Sequence, residues 1–277
     1  MPVELDRLPL DEALLMCFDL ETTGVNVAED RVVQLAVSYF HRHRVVQQHT
    51  QLINPDIPIP EGASAVHGVY DSHVANQPKL SDFITRLAPH FRGQVLEQLP
   101  PPLLIGYNLI SYDVPLFKAE LARGGHDPSL IDLPTLDLII FVRWYLRHRR
   151  HQRLENICQD FGVSLTKAHD ALFDAKACGF LVSHFLRSGY LPRTVGEALK
   201  AQSHFSSILD QEYQDYRRWL YRDRTTGDLM MGQGKNQGIG LAHVDPSYLT
   251  HCLNTMSDIP PKVREAFTAR LAGRPLP

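Results

Sequence analysis

The chain has 277 residues, of which 44% are hydrophobic and 21% are charged, and its net charge at pH 7 is −3. This composition is typical of a globular protein with room for one sizeable domain and a smaller one, and no apolar run approaches the roughly 20 residues of a membrane span. The slightly acidic balance does not by itself indicate a nucleic-acid binder, but it leaves room for local basic patches beside a carboxylate-rich site.

The amino terminus and the cysteines bear on the compartment. The first fifteen residues are acidic rather than basic and lack a signal-peptide pattern. The four cysteines are scattered without a CxxC pair, which indicates neither a disulfide framework nor a zinc cage. We therefore expect a cytoplasmic protein that does not associate with membranes.

The first predicted strand carries two acids. The apolar run LLMCF leads into Asp19 and Glu21, and Thr22-Thr23-Gly24 follows. Residues two apart on a strand point to the same face, so the two carboxylates project side by side. They repel each other unless a cation lies between them or one is protonated. This pattern favours a divalent metal site at the end of the strand, and the alternative is an ordinary strand edge that runs into a polar turn.

The next elements predict a hairpin and a helix. Two runs rich in β-branched residues, 32–40 and 45–53, predict a hairpin packed on the first strand. Residues 54–78 are rich in proline, lack periodicity and predict a long loop. Apolar residues at helical spacing then predict a helix within 79–99.

The following elements complete an α/β pattern. Residues 103–108 predict a short buried strand, and Asp113 is a candidate N-cap of the helix after it. Residues 135–147 predict a short strand that turns into a helix, and residues 152–161 and 175–186 predict two more helices. Strands and helices in this order predict a sheet of mixed direction flanked by helices.

The amino-acid composition of the sequence changes after residue 192. Residues 198–224 are polar, aromatic and helical in tendency, and residues 245–274 predict two short helices. We therefore predict a domain over 1–192 and a small, mostly helical accessory region over 193–277, which could bind nucleic acid or a partner protein.

Four acids and one histidine form a candidate site. Asp19, Glu21, Asp113 and Asp174 each lie where a strand meets a loop or where a helix begins, positions that converge at one edge of a parallel-type sheet. Carboxylates suit Mg²⁺ or Mn²⁺, and four of them fit two ions of the kind that promote phosphodiester hydrolysis. His169 can share this site if it lies on the loop before the last helix, where an imidazole would suit a general base.

The motifs FDLETTG, GYN-x₄-D and H-x₄-D, in this order, resemble the DEDDh subgroup of DnaQ-like 3′–5′ exonucleases. The run IPEGASAVHGV also matches a loop of these proteins, and the resemblance covers residues 14 to about 187. It implies a ribonuclease H-like fold with a five-stranded mixed sheet whose second strand is antiparallel. It also implies that the four acids hold two Mg²⁺ or Mn²⁺ ions and that His169 is the base. Asp170, beside the base, is expected to cap the helix that follows it.

The resemblance and the basic residues together suggest substrate contacts. It implies that Thr22 and Thr23 line the pocket for the terminal nucleotide, and that Leu20 and Phe117 pack on its base or sugar. Asn108, in the GYN motif, is a further candidate. Between Asp137 and Glu155 the sequence has five arginines and no acid, which favours a patch that tracks phosphates. The patch residues proposed for substrate are Arg147 and Arg150, and the alternative is a solvated helix surface.

Two features of the accessory region stay open at this point. A basic and aromatic cluster over 213–224 could bind nucleic acid or could be a core-facing helix whose arginines extend to solvent. The glycine-rich run 232–238, with the DPSYL that follows, resembles the small C-terminal module of exonuclease X-type enzymes, which suggests a DNA-holding or partner-binding appendage.

The function predicted from the sequence is a metal-dependent 3′–5′ exonuclease that releases nucleoside 5′-monophosphates from the 3′ ends of DNA, with single strands favoured. One alternative is an exoribonuclease of the same fold, similar to RNase T or oligoribonuclease. Another is a non-catalytic nucleic-acid-binding or partner-recruiting module, which would have no need for all five site residues.

Overall fold

A mixed sheet is formed by β1 (Leu14–Thr22), β2 (Val32–His41), β3 (Arg44–Leu52), β4 (Pro102–Gly106) and β5 (Thr135–Asp137). The structure is a computed structural model, and it describes residues 5–94, 96, 98–147, 149, 151–223 and 225–276. The strand order is β3-β2-β1-β4-β5, in which β1, β4 and β5 are parallel and β2 is antiparallel to both neighbours. The predicted five-stranded mixed sheet, with its antiparallel second strand, is confirmed.

Helices flank this sheet. In chain order they are α1 (Glu61–His67), α2 (Asp71–Val74), α3 (Leu80–Phe91), α4 (Asp113–Arg123), α5 (Leu138–Tyr145), α6 (Leu154–Phe161) and α7 (Ala171–Arg187). One hydrophobic cluster packs α5, α6 and α7 on one face of the sheet, and a second packs α3 and α4 on the other. The stretch 54–78, predicted as a loop, contains α1 and α2.

Successive side chains of β1 point to opposite faces of the sheet and are buried on both, which explains the central place of this strand. Leu15 and Cys17 belong to the cluster beneath α7, whereas Met16 and Phe18 belong to the cluster beneath α4. A strand covered on both faces reads as a continuous apolar run, as LLMCF does. The acids of β1 therefore project from a rigid, buried scaffold.

The hairpin turn and one helix glycine show how closely the elements pack. Arg42 and His43 have φ angles of 50° and 66°, as a two-residue hairpin turn requires. In α7, a Cβ atom added to Gly179 would lie 2.4 Å from the Phe40 ring. A side chain at this position would push α7 away from β2, and the site residues at the start of α7 would move with it.

A long helix, α8 (Val195–Trp219), crosses the division of the chain into two compact units, residues 1–205 and 206–277. Val195 and Ala198 are buried in the cluster beneath α7, and Phe205 packs against it. Because these residues pack in that cluster, the first unit extends to residue 205, beyond the change in amino-acid composition near residue 192. The functional assignment of the two regions stays a prediction.

The second unit contains β6 (Leu220–Arg222), β7 (Leu229–Met231), α9 (Pro246–Thr255) and α10 (Pro261–Leu271). The helical character of residues 245–274 agrees with the sequence, whereas the β6–β7 hairpin was not predicted. Trp219, Leu249 and Phe267 lie in the hydrophobic core of the second unit. Gly234 and Gly238, with φ angles of 77° and 79°, shape the turn after β7. Within the described ranges, every helix is too short or too polar to span a bilayer.

Candidate active site

Asp19 and Glu21 lie near the carboxyl end of β1, two residues apart and on the same face. Asp19 is half-buried and Glu21 is buried. The pairing of β1 with β2 becomes irregular directly after Glu21, where a shift in register occurs between Glu21 and Thr22. The strand thus delivers both carboxylates to the edge of the sheet where its regular hydrogen bonding ends.

Asp113 reaches the same edge from α4. It is the first residue of that helix, and its Oδ1 accepts a hydrogen bond of 3.1 Å from the backbone N–H of Leu20. The N-cap is Tyr112, without a side-chain capping bond, so the prediction that Asp113 caps the helix is wrong. The Tyr112 hydroxyl is engaged with the Gly24 carbonyl and the Thr22 hydroxyl, and Asp113 is itself the first helical residue. Asp113 is therefore turned toward β1.

Asp174 and His169 come from the start of α7. Asp170 is the N-cap and accepts a hydrogen bond of 3.2 Å from the N–H of Leu172, so its predicted capping role is confirmed. His169 lies on the loop before the helix with φ of 61°, and its backbone N–H donates to Asp174 Oδ2 at 3.0 Å. The left-handed backbone at His169 is what lets the loop fold back on the helix that it precedes.

Glu21, His169 and Asp174 can present one ligand atom each within 4.8 Å of one another. Asp174 Oδ1 is buried and has no hydrogen-bond partner among the described residues. Buried carboxylate oxygens without partners are rare, and a bound cation is one way to satisfy them. The carboxylate oxygens of Glu21 and Asp174 therefore suit a divalent metal ion, and the His169 imidazole lies beside them.

The carboxylates are close enough to disturb each other's protonation. Burial, together with the charges of Asp113, Asp174 and Glu21, raises the pKa of Asp19 well above its usual range. Burial and the neighbouring carboxylates raise the pKa of Glu21 to about 8. Burial raises the pKa of Asp113 to about 7, against the effect of the Leu20 N–H, and that of Asp174 to about 6. A cation would remove the repulsion that keeps protons on these groups.

These shifts predict that the metal-free protein loses stability as the pH rises. The folded state binds the protons of Glu21, Asp113 and Asp174 more tightly than the unfolded state. This contribution is fully present below about pH 4 and is lost as the pH passes through about 6 to 8. We expect a loss of at least about 2 kcal/mol, or roughly 4–8 °C or more in Tm, between about pH 5 and pH 8 in EDTA.

Thermal unfolding with and without Mg²⁺ or Mn²⁺ measures this effect. The ions should raise Tm more at the higher pH, because they replace the protons as counter-charges. A Tm in EDTA that stays constant or rises over this range would contradict the proposed clustering of charges.

Two of the predicted substrate contacts belong to the core. Leu20 is 5% exposed, and Phe117 is fully buried with its ring edge-to-face against Phe18 at 5.4 Å. Neither side chain offers a surface to a nucleotide, which corrects the expectation that they pack on its base or sugar. Their apolar character reflects the cluster beneath α4.

The two threonines after Glu21 hold the chain around them. The Thr22 hydroxyl donates to the Gly24 carbonyl at 2.7 Å. The Thr23 hydroxyl donates to Asp30 Oδ1 at 2.8 Å and accepts from the Arg31 N–H at 3.0 Å. Thr23 is 2% exposed, so it braces the loop that ends at Arg31 and does not line an open pocket. Thr22 is half-buried and stays a candidate contact.

The loop around Asn108 is held by Asp137, an acid that was not identified as a site residue from the sequence. The φ of Asn108 is 73°, and its backbone N–H donates to Asp137 Oδ1 at 2.7 Å. The second oxygen of Asp137 accepts from the Ile110 N–H at 3.0 Å, and Asp137 also caps α5. This carboxylate, 1% exposed, thus holds the loop that leads to Asp113. Its place at the end of β5, followed by a helix, is the sequence pattern that could have identified it.

Replacing Asp137 with Ala should destabilise the fold and reduce activity. The N–H groups of Asn108 and Ile110 would lose their acceptor, at a cost of about 2 kcal/mol in the free energy of unfolding. Asp137→Asn, which keeps one acceptor oxygen, should lose about half as much. Urea unfolding gives both values, and a loss under about 0.5 kcal/mol in Asp137→Ala would show that the loop does not depend on this carboxylate.

A second residue that sequence reasoning missed is His67, at the end of α1. Its Nδ1 accepts a hydrogen bond of 3.0 Å from the Val69 N–H, which places the proton of the neutral ring on Nε2. Burial lowers the pKa of His67, the Thr22 backbone opposes this shift, and His169 adds to it. His67 therefore lies beside the candidate site. It stands within the IPEGASAVHGV run, which pointed to this loop but not to a residue.

Arg147 of the predicted basic patch makes contacts with a neighbouring residue of its own segment. The Arg147 guanidinium lies 4.9 Å from the centre of the Trp144 ring, and its Nε donates to the Trp144 carbonyl. Trp144 itself stacks on Phe205 at 4.4 Å. Arg147 is exposed and stays a candidate for phosphate contact. Arg150, the other predicted contact, lies outside the described residues, as does His148.

Comparison with known proteins shows which family this chain resembles. The model of the exonuclease family RNase T matches residues 16–180. The DNA polymerase III PolC-type protein of Streptococcus thermophilus is 30% identical over 183 residues, which are 66% of this chain and 12% of that protein. The corresponding protein of Streptococcus mutans is 29% identical over 190 residues, which are 68% and 12%. The chain thus spans about 12% of the length of these relatives.

Solved structures share the fold. An exonuclease I structure aligns with a TM-score of 0.55 at 18% identity, over 90% of this chain and 61% of that chain. Exonuclease I from E. coli in complex with a dA16 oligonucleotide gives a TM-score of 0.54 at 17% identity, over 88% and 60%. The enzyme from Methylocaldum szegediense gives 0.52 at 20%, over 79% and 50%. These alignments confirm the predicted ribonuclease H-like fold.

Proposed function

The chain belongs to the RNase T family of DnaQ-like 3′–5′ exonucleases, and on this basis we propose that it removes nucleoside 5′-monophosphates from the 3′ ends of DNA. The observation that carries the proposal is the convergence of acids from three separate elements, β1, α4 and α7, beside an exposed imidazole. A module that only binds nucleic acid gains nothing from mutually repelling carboxylates whose pKa values are raised.

Asp19, Glu21, Asp113 and Asp174 would hold the metal ions of the site. The orphaned Asp174 oxygen and the close approach of Glu21 to Asp174 support this assignment. Two Mg²⁺ or Mn²⁺ ions, when bound, would supply Lewis-acid stabilisation of the charge that develops on the phosphodiester. The Leu20 N–H, by donating to Asp113, would hold that carboxylate in the orientation that the site needs.

His169 would act as the general base. Its side chain is 49% exposed, so water and substrate can reach it, and its Nε2 lies 4.0 Å from Glu155 Oε2. The imidazole would take a proton from water as the water oxygen bonds to phosphorus and the bond from phosphorus to O3′ breaks. O3′ would take a proton from solvent water to become the new 3′ hydroxyl, and the imidazolium would return its proton to solvent. Glu155 would stabilise the imidazolium that forms.

The names of the relatives favour DNA over RNA as the substrate. The matched polymerases are DNA polymerases by name, and a similar exonuclease I structure contains a DNA oligonucleotide. These are properties of those proteins and support the assignment here by analogy. An exoribonuclease of the same fold is the second candidate, because the family model carries the name RNase T.

End-labelled strands test the proposal. Single-stranded DNA with a 5′ label should shorten stepwise in Mg²⁺ or Mn²⁺ and stay intact in EDTA, and mass spectrometry should detect nucleoside 5′-monophosphates. The same DNA strand ending in one ribonucleotide, and an all-RNA strand, provide matched comparisons. Faster trimming of RNA would contradict the choice of DNA, and the absence of products from every strand would contradict catalysis.

A further inference from the structure

The second unit contains a cleft that the proposed catalytic site does not use. Its lining begins with Tyr213, Tyr216 and Arg217, which are spaced to share one face of α8, and continues with Leu220, Tyr221 and Arg222 on β6. The cleft has a volume of about 920 Å³, within the roughly 300–1,000 Å³ typical of ligand-binding clefts.

One tyrosine and two arginines of this cleft are exposed to solvent, whereas Tyr216 and Tyr221 are half-buried. Tyr213 is 56% exposed, and Arg217 is exposed with its guanidinium 5.7 Å from the Tyr213 ring. Arg222 is exposed, and its Nη1 donates to the Gly227 carbonyl at 3.0 Å. By contrast, Trp219 and Leu220 are buried in the core of the unit. The core therefore contains Trp219 and Leu220, and Tyr216 packs against it, while Tyr213, Arg217 and Arg222 are presented outward.

The charge of the cleft favours an anionic ligand. The described lining of the cleft contains two arginines, Arg217 and Arg222, against one acid, Asp223. The Asp223 carboxylate accepts hydrogen bonds from the Thr225 and Thr226 N–H groups at 2.8 and 2.9 Å. It thereby shapes the turn between β6 and β7, and the arginine charges exceed it.

We propose that this cleft is a second binding site for single-stranded nucleic acid. Unpaired bases stack on Tyr213 and its neighbouring tyrosines, while Arg217 and Arg222 contact phosphates. Base pairing hides the faces that stacking requires, so duplex DNA is excluded. Aromatic faces and guanidinium groups do not discriminate between bases, so recognition is independent of sequence. The inference rests on the proposed function, since it assigns part of the same substrate to a second site.

Strand binding in EDTA separates this site from catalysis. Anisotropy of a 5′-labelled dT30 strand should give a Kd about tenfold higher for Tyr213→Ala and for Arg217→Glu than for the wild type. Arg217→Glu should also lower the salt dependence of binding. Arg218→Glu is the matched control, since Arg218 is exposed and adjacent but does not line the cleft. It should bind dT30 within about twofold of the wild type.

Hydrolysis of the p-nitrophenyl ester of thymidine 5′-monophosphate reports the catalytic site without a strand. All these variants should hydrolyse it like the wild type. Unchanged affinity in Tyr213→Ala and Arg217→Glu would overturn the second site, as would equal affinity of the wild type for the dT30–dA30 duplex. A wild-type protein that binds dT30 through these residues but hydrolyses neither strand nor ester would instead overturn the proposed function.

Discussion

Asp19→Asn should abolish exonuclease activity and at the same time stabilise the metal-free protein. Asp19 lies among Asp113, Asp174 and Glu21, and their charges raise its pKa well above its usual range. Removing its charge would remove a metal ligand, and with it several kcal/mol of transition-state stabilisation, so we expect kcat to fall at least about 10³-fold. The same change relieves repulsion and should raise the stability in EDTA by about 1 kcal/mol.

Opposite signs in activity and stability distinguish this role from a folding role. Asp132→Asn is a suitable control, because this exposed acid pairs with Lys118 away from the site. It should leave kcat and Tm nearly unchanged. If Asp19→Asn retained more than about a tenth of the wild-type rate in Mg²⁺, Asp19 would not be an essential ligand. A marked loss of stability in EDTA would mean that its role is structural.

His169→Gly should lower kcat by about 10² to 10⁴-fold, the usual contribution of a general base. Glycine suits this test because the φ of His169 is 61°, a conformation that glycine adopts without strain. The His169 N–H that donates to Asp174 is a backbone group and is retained. The loss should therefore reflect the missing imidazole and not a misfolded loop.

Added imidazole provides the decisive comparison. It should restore part of the activity of His169→Gly in proportion to its concentration, and it should not restore Asp19→Asn. His251→Gln, a substitution of an exposed histidine on α9, should match the wild type. A rate within about threefold of the wild type in His169→Gly would exclude His169 as the base.

The sequence was most informative where the pattern is local. The continuous apolar run over residues 14–18, the acids two residues apart and the Asp170 cap each depend on neighbours within a few positions. The five-stranded mixed sheet was expected from the resemblance to DnaQ-like exonucleases, and the convergence of Asp113 and Asp174 with β1 from their places at strand ends and helix starts. The roles assigned to the acids and to His169 stay predictions until the variants are measured.

The sequence was least informative about the purpose of each side chain near the site. Asp113 matches a helix cap by local criteria, yet it accepts a hydrogen bond from a residue 93 positions earlier. Thr23 was predicted to line a pocket and braces a loop, and Phe117 was predicted to meet a nucleotide and fills the core. In each case the same residue type serves both purposes, and burial decides between them.

The amino-acid sequence by itself determined the strands and most helices of the first unit and which residues are candidates for metal binding, because helix and strand periodicity and the chemistry of side chains are properties of short segments. Only the tertiary structure decided how Asp137 holds the loop before Asp113, why Leu20 is inaccessible, and that the arginines of the α8–β6 segment face outward. These outcomes depend on which surfaces pack together across long separations in the chain, and packing is a property of the whole fold.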